Sequence, residues 1–165
     1  MQQVIILFLL ILCFLYCLLL MYYRRAWKQI PGYEPQTPKL KPRTRISVII
    51  PARNEETHIG ACLDSLANQS YPTELFEVLV VDDHSTDNTA AIIDARKTGN
   101  IKRIALQDHI NGEALNSYKK KAIETAIRLS TGELIVTTDA DCVVPLHWLQ
   151  TIAAFYEQQQ AVFIA

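Results

Sequence analysis

The sequence predicts an α/β fold: a mostly parallel β-sheet with helices on both faces, preceded by one amino-terminal transmembrane helix. Two observations support the sheet. From Arg45 onward, short apolar runs alternate with segments of helical periodicity. The apolar runs show little internal alternation, which is typical of parallel strands that helices cover on both faces. A third observation predicts the transmembrane helix, namely a long uncharged run near the amino terminus.

The uncharged run covers residues 4–23 and contains neither glycine nor proline. About 20 apolar residues are enough for an α-helix to cross a hydrocarbon core roughly 30 Å thick. A cleaved signal peptide is the alternative interpretation. Such peptides begin with basic residues and have a shorter apolar run, whereas Met1 to Gln3 carry no basic side chain. We therefore expect a retained membrane anchor over residues 1–23.

Basic residues follow the anchor directly, at Arg24, Arg25 and Lys28. Because positive residues favour the cytoplasmic side, we expect a single-pass protein of the cell (inner) membrane whose larger domain is cytoplasmic. Residues 24–44 form a basic, proline-rich juxtamembrane linker, which we interpret as stiff and extended. Its basic residues are either solvated or in contact with anionic lipid.

The overall composition argues against two classes of function. A formal net charge of −1 and a pI of about 6.4 provide no basic excess for binding nucleic acid. The four cysteines and four histidines have none of the spacings of a zinc site. We therefore expect neither a nucleic-acid partner nor a structural zinc ion.

The domain predicted over residues 45–165 contains four strands and the start of a fifth. The strands are expected at 46–50, 76–81, 101–106 and 134–137, and the final VFIA would begin the fifth. Each is a short apolar run bounded by proline, glycine or acidic residues, which is the usual pattern of a buried strand.

Four helices are predicted between and after these strands, from apolar residues at helical spacing. The apolar face of the first consists of Ile59, Cys62, Leu63 and Leu66. The second is expected to be capped by Asp87 and to include Ala91, Ile92 and Ala95 among its apolar positions. The third covers 117–129, with a face of Ala122, Ile123, Ala126 and Ile127. Pro145 is expected to open the fourth, because proline suits a first helical position.

Polar clusters follow three of the strands, with the sequences PARNEE, DDHSTD and DADC. Ligands of parallel α/β sheets bind beyond the carboxyl ends of the strands, so these clusters are expected on one edge. A single acidic cluster there would be explained by turns and helix caps. Two clusters, Asp82-Asp83 and Asp139 with Asp141, would repel each other without a cation.

A hard divalent ion, Mg²⁺ or Mn²⁺, would relieve this repulsion, since it takes carboxylate ligands and bridges to phosphates. The acidic pairs therefore indicate a metal–diphosphate site. The Gly-rich dinucleotide fingerprint and the Walker loop are both absent from the sequence, so a metal would carry more of the phosphate binding.

Four motifs in order carry a family resemblance: SVIIPARNEE, VLVVDDHSTDNT, SYKKKAIETAI and TGELIVTTDADC. The chain from Arg45 to its end resembles a family 2 glycosyltransferase with the GT-A (Rossmann-like) fold, of the membrane-anchored bacterial type. The resemblance implies that Pro51, Arg53 and Glu55 lie against the nucleoside of a donor sugar nucleotide. It also implies that Asp83 hydrogen-bonds the base or ribose, with support from Asp82.

The resemblance further implies that Lys119 lies near the donor phosphates, with Tyr118 in place of the family's glycine. Asp139 and Asp141 match the D-x-D metal motif, with Asp141 the more direct metal ligand and Asp139 nearer the ribose or sugar. His84, where many relatives have glycine or asparagine, is interpreted as a turn residue. Lys120 and Lys121 are interpreted as part of a solvated helix face.

The activity implied is metal-assisted, inverting transfer of a sugar from a UDP- or GDP-linked donor to a lipid or glycan acceptor. The family's general base lies well after the D-x-D, so it is expected beyond Ala165 and no catalytic residue is assigned. We therefore interpret residues 45–165 as the amino-terminal, nucleotide-sugar-binding half of the domain.

Three alternatives remain beside this interpretation. A nucleotidyltransferase usually has a Gly-rich basic loop after its first strand, which PARNEE is not. A phosphoacceptor signalling domain needs its acidic pair after the first strand and its phosphorylated aspartate after the third, whereas here the pairs follow the second and fourth. The third alternative is an inactive membrane-bound remnant that binds nucleotide only.

Overall fold

The computed structural model describes residues 1–30, 42–110 and 117–159, which belong to two compact units, Met1–Glu34 and Pro35–Ala165. The described part of the first unit is one helix, α1 (Gln2–Gln29), with no buried residue. Its mean hydropathy reaches 3.3, so by length and composition α1 is a candidate membrane span. Most of the predicted linker and the predicted strand VFIA lie outside the described residues.

The second unit is built on a parallel sheet, as predicted. Its strands are β1 (Ile46–Ala52), β2 (Phe76–Asp82), β3 (Ile101–Ala105) and β4 (Leu134–Thr137). They lie in the order β3-β2-β1-β4, and each neighbouring pair is parallel. The carboxyl ends of all four strands therefore point to the same edge.

Helices cover both faces of this sheet: α2 (Ile59–Ala67), α3 (Thr89–Ala95), α4 (Tyr118–Leu129) and α5 (Trp148–Gln159). The side chains of successive residues of β1 point to opposite faces of the sheet. Val48 and Ile50 belong to the core formed with α2, α3 and α5, whereas Ile49 belongs to the core formed with α4. Burying each such side chain stabilises the fold by about 1.5–3 kcal/mol.

Strand β1 continues two residues past its predicted end, through Pro51 to Ala52. The prediction stopped at Pro51 because proline cannot donate a ladder hydrogen bond. The Ile49 carbonyl accepts a hydrogen bond from the Thr138 amide, directly after β4, so the backbone polar groups of Ile49 point toward β4. Backbone groups two residues apart in a strand point the same way, so the nitrogen of Pro51 also faces β4. The β1–β4 ladder ends at the pair Ile49 and Thr137, so no donor is required of Pro51.

The prediction for α3 is only partly right, because Ile92 alone of its three named apolar positions packs against the core. Thr89 and Ile93 are the buried residues of this helix, while Ala91 and Ala95 are exposed. The run AAIIDA could not identify the face, because two adjacent isoleucines fit either phase and alanine contributes little apolar area. The N-cap position is Asn88, whose side chain makes no capping hydrogen bond, whereas the carboxylate of the predicted Asp87 accepts from the Thr89 amide at 3.0 Å.

Two further helix predictions are corrected, whereas the predicted face of α2 is fully buried. On α4, Ala122 and Ala126 are buried, but Ile127 is 47% exposed. One residue of helix turns the side chain by about 100°, which takes Ile127 off the Ala122–Ala126 line. Helix α5 begins at Trp148, because Pro145 instead opens a turn in which its carbonyl accepts from the Trp148 amide at 3.0 Å.

A buried carboxylate ties the amino ends of the strands together. Glu77 of β2 accepts from the Ser47 hydroxyl at 2.8 Å, from the Thr131 amide at 2.7 Å and from Lys102 at 3.2 Å. Burial raises the pKa of Glu77, but the hydrogen bonds from Thr131, Ser47 and Lys102 outweigh it, so the pKa lies below its ordinary value. This network joins β1, β2, β3 and the segment that leads into β4, at the edge opposite the acidic clusters.

Candidate functional site

A cavity of about 300 Å³ lies at the carboxyl edge of the sheet. It is lined by residues that follow β1, β2 and β4 and by the start of α4. Every predicted site residue except Asp82 contributes to its wall, namely Pro51, Arg53, Glu55, Asp83, Lys119, Asp139 and Asp141. The fold thus brings together residues from three separate loops, as the shared edge of the sheet required.

A larger cavity, of about 610 Å³, lies at the amino ends of the strands and is lined by Arg45, Glu77 and Gly132 among others. Size alone would favour it as the binding site. Its one buried carboxylate, Glu77, is already engaged by four hydrogen bonds within the protein. The smaller cavity lies at the carboxyl edge of the sheet, where ligands of parallel α/β sheets bind, and is lined by four carboxylates, so we assign the candidate site there.

The loops after β1 and β2 hold each other through side chain to backbone hydrogen bonds. Asn54 has a positive φ of 55°, which asparagine tolerates better than most residues. Its amide donates to the Ser85 hydroxyl at 3.1 Å, and its side-chain oxygen accepts from the Thr86 amide at 2.9 Å. The Glu56 amide donates to Asp87 at 3.2 Å. Sequence reasoning missed these residues, although asparagine after a strand is a signal for such a turn.

The two aspartates after β2 have different surroundings. Asp82 is turned away from the cavity: one oxygen accepts from the Ser85 amide at 3.2 Å, and the other lies 3.5 Å from Arg103. Asp83 lines the cavity and lies 3.5 Å from Arg53 and 2.8 Å from Nδ1 of His84. Both carboxylates are buried, so each depends on these partners for compensation of its charge.

An aromatic residue, Tyr118, occupies the first position of α4, directly before Lys119, which lines the cavity. The guanidinium carbon of Arg53 lies 5.8 Å from the centre of the Tyr118 ring, within cation–π range. The His84 ring meets the same tyrosine edge-on, with centroids 6.0 Å apart. His84 has a positive φ of 54°, in agreement with its interpretation as a turn residue. The contacts of Tyr118 were not foreseen from the sequence.

Lys119 and Asp139 form an ion pair across the cavity, with Nζ 2.7 Å from Oδ1. Both side chains are more than half exposed, at 61% and 58%, so solvent screens the pair. Asp141, two residues on, is also exposed, and one of its oxygens accepts from the Cys142 thiol at 3.6 Å.

Within the described residues, no group of three or more histidine, cysteine, aspartate or glutamate side chains would hold a metal alone. Mg²⁺ is usually held by one or two carboxylates together with substrate phosphates. Asp139 and Asp141 provide two hard oxygen ligands beside a cavity large enough for small ligand groups. The donor set therefore fits a divalent ion whose coordination a diphosphate completes.

Cys62 of α2 supports the loop that contains the D-x-D motif. Its thiol donates to the Asp139 carbonyl at 3.8 Å. Burial, followed by the proximity of Cys142 and Asp141, raises the pKa of Cys62 to about 12. Cys62 is thus a neutral thiol, and all four cysteines of the chain are free.

A parallel α/β unit with carboxylates and cations at the carboxyl edge of its sheet is the architecture of a nucleotide-binding protein. The chain belongs to glycosyl transferase family 2, whose family model matches residues 47–165. The family resemblance found in the sequence is thereby confirmed.

Comparisons with individual proteins agree. The chain is 34% identical over 118 residues to the poly(ribitol-phosphate) β-N-acetylglucosaminyltransferase TarS of Staphylococcus aureus, covering 71% of this chain and 20% of that protein. The structure of TarS residues 1–349 with UDP-GlcNAc matches with a TM-score of 0.60 at 32% identity, over 70% of this chain and 32% of that one.

The mannosyltransferase PcManGT of Pyrobaculum calidifontis, solved with GDP-Man and Mn²⁺, matches with a TM-score of 0.63 at 31% identity. That match covers 83% of this chain and 39% of the mannosyltransferase. The GT-A fold expected from the sequence is confirmed by these structures. The chain spans between a fifth and two fifths of the length of these relatives.

Proposed function

We propose that this protein is a glycosyltransferase that takes a sugar from a UDP- or GDP-linked donor and transfers it, with inversion, to a lipid or glycan acceptor. The observation that supports it most is the single cavity that joins the first loop, Asp83, Lys119 and the D-x-D motif. The related structures with UDP-GlcNAc and with GDP-Man and Mn²⁺ support the same donor class.

The proposed donor site has two parts. In the nucleoside part, Pro51, Arg53 and Glu55 line one wall, and Asp83 accepts a hydrogen bond from the base or ribose. Asp82 does not touch the donor in this proposal. Its hydrogen bond with the Ser85 amide shapes the turn that holds Asp83 in the wall.

In the diphosphate part, Lys119 provides positive charge to the phosphates, while Asp139 and Asp141 hold Mg²⁺ or Mn²⁺. The ion would neutralise charge that develops on the diphosphate leaving group. Lys119 is the second residue of α4, lines the cavity and is paired with Asp139 of the D-x-D motif. Its ammonium group can leave Asp139 for a phosphate at little cost, because the exposed pair contributes little to stability.

For the location, we propose that α1 anchors the protein in the cell (inner) membrane and that the second unit is cytoplasmic. The length and hydropathy of α1 support the anchor, and the basic residues Arg24, Arg25 and Lys28 support the orientation. A cytoplasmic donor site would have access to sugar nucleotides, and an anchored domain would lie near lipid-linked acceptors.

Calorimetry on the full chain in detergent tests donor binding. UDP and GDP should bind in the presence of Mn²⁺ and bind weakly without it. Asp141→Ala should lose the metal-dependent binding, because Asp139 alone is a poor ligand set. Glu124→Gln, a half-exposed acid on α4 that pairs with Lys121 and Arg128, is the matched control and should bind as the wild type does.

Transfer itself is tested with radiolabelled UDP-GlcNAc and GDP-mannose and with lipid-phosphate and polyol-phosphate acceptors. Metal-dependent transfer of label that Asp141→Ala abolishes supports the proposal. Metal-dependent nucleotide binding without transfer to any acceptor would instead support a nucleotide-binding protein. Equal nucleotide binding by Asp141→Ala would contradict the assigned metal motif.

A further inference from the structure

Four side chains form a cluster that shares two residues with the cavity wall, Arg53 and Asp83. We call it the Tyr118 cluster: Tyr118, Arg53, His84 and Asp83. Asp83 is at its base, with an exposed fraction of only 6%. Arg53 and His84 each reach the Asp83 carboxylate from a different loop, at 3.5 and 2.8 Å. Both also contact the Tyr118 ring, through a cation–π contact and an edge-on ring contact.

The position of Tyr118 is not explained by packing in the core. Its exposed fraction is 40%, and it belongs to neither hydrophobic cluster of the unit. The first turn of α4 has its own cap, since the Ser117 hydroxyl accepts from the Lys120 amide at 3.4 Å. Tyr118 is thus a partly exposed aromatic ring whose described ring contacts are with Arg53 and His84, both polar and planar.

We propose that Tyr118 is the surface on which the nucleobase of the donor stacks, with Arg53 and His84 holding its ring in place. This inference rests on the proposed function. Aromatic rings and guanidinium planes are the groups on which proteins stack bases, and they do so for any base. The next residue, Lys119, lines the cavity and is assigned to the phosphates, so one turn of α4 would contact both ends of the nucleotide.

Asp83 would add selectivity to this stacking. A carboxylate accepts hydrogen bonds, and the Asp83 carboxylate already accepts one from the Arg53 guanidinium at 3.5 Å. Uracil and guanine offer a ring N–H on the edge that pairs with other bases, whereas adenine and cytosine offer a ring nitrogen acceptor there. The cluster therefore favours UDP- and GDP-linked donors over ADP- and CDP-linked ones.

The test is calorimetry on the full chain in detergent with Mn²⁺, using UDP, GDP, ADP and inorganic pyrophosphate. Pyrophosphate has no base and reports on the metal and lysine alone. Tyr118→Ala should weaken UDP and GDP binding about thirtyfold, the midrange of base–aromatic stacking, and leave pyrophosphate binding unchanged. Tyr118→Phe keeps the ring and should bind all of them as the wild type does.

Circular dichroism should give the same helix content for Tyr118→Ala as for the wild type, because alanine is the best helix former and the residue is not in the core. UDP binding by Tyr118→Ala at wild-type affinity would overturn the inference and leave the proposed function intact. An equal loss of pyrophosphate binding would also overturn it, since the effect would lie in the phosphate site. A wild type that binds none of the nucleotides would overturn both proposals.

Discussion

At the scale of single residues, the ion pair between Lys119 and Asp139 determines how the candidate site would respond to a metal. Nζ and Oδ1 lie 2.7 Å apart, so the lysine neutralises the carboxylate that a divalent ion would need. In the proposed site, Lys119 and a divalent ion would therefore compete for Asp139 in the absence of a diphosphate, and both would bind the diphosphate once it is present.

Replacing Lys119 by methionine should consequently change two affinities in opposite directions. Affinity for Mn²⁺ alone should rise, by up to about fivefold, because an exposed ion pair of this kind is worth at most about 1 kcal/mol. Affinity for UDP with Mn²⁺ should fall, because the phosphates lose a cation. Electron paramagnetic resonance of free Mn²⁺ measures the first quantity and calorimetry the second. Lys120→Met, at an exposed residue that does not line the cavity, is the control.

A decrease of both affinities would contradict this account, because Lys119 would then support the metal site rather than compete for it. A decrease of the UDP affinity alone would show that the pair with Asp139 does not persist in solution.

The residue scale also shows what sequence could and could not predict about the site. Spacing after strands identified Asp83 and Asp139 as neighbours in space, because parallel strands end on one edge. Spacing alone did not show that Asp82 turns away to Ser85 and Arg103, nor that Tyr118 meets Arg53. Those outcomes depend on side-chain contacts between residues far apart in the chain.

At the scale of elements, Glu77 joins three strands and the segment before β4 through one buried carboxylate. Glu77→Gln should destabilise the fold by about 1–3 kcal/mol near neutral pH, because Lys102 and the Thr131 and Ser47 donors lose a charged acceptor. Urea unfolding of the full chain, followed by circular dichroism, measures the change. Glu133→Gln, at an exposed position two residues after Thr131, should leave the midpoint unchanged.

The difference in stability between the wild type and Glu77→Gln should depend on pH in a definite direction. The folded-state pKa of Glu77 lies below its ordinary value of 4.5, so its stabilising effect is complete above that value. It is lost as the pH falls through the lowered folded-state pKa. The stability difference between wild type and Glu77→Gln should therefore shrink in strong acid, and a difference that grows there would contradict the assigned network.

Strand boundaries were predicted more accurately than helix faces. Strands β1 and β2 are buried on both faces, and short apolar runs identified all four strands to within two residues at each end. Helix faces were predicted less well. In α2 four apolar residues identify one side of the helix as the buried face. In α3 and α4 alanines occupy many of the apolar positions and identify the buried face less clearly, and Ile127 fits the apolar spacing without being buried.

At the scale of the whole molecule, the proposed orientation of α1 makes a prediction about cysteine accessibility. Cys142 is exposed on the second unit, whereas Cys62 is buried and its pKa is raised to about 12 by burial and by Cys142 and Asp141. A membrane-impermeant maleimide should therefore label Cys142 only after the cells are opened. Cys142→Ser should remove that label, and labelling of Cys142 in intact cells would reverse the orientation.

The two parts of the candidate site follow two strands that differ in how well their backbone amides should be protected from hydrogen exchange. The loop proposed to contact the nucleoside follows β1, which pairs with a neighbour on each side. The loop with the D-x-D motif follows β4, which has four residues and, among the described strands, pairs with β1 alone. Amide hydrogen exchange should accordingly be slow up to Ala52 and much faster from Thr138 onward, because short edge strands open locally. Nucleotide with Mn²⁺ should slow exchange mainly around Asp139 and Asp141. The donor would then meet a nucleoside wall that is already rigid, and the entropy lost on binding would be concentrated in a single loop.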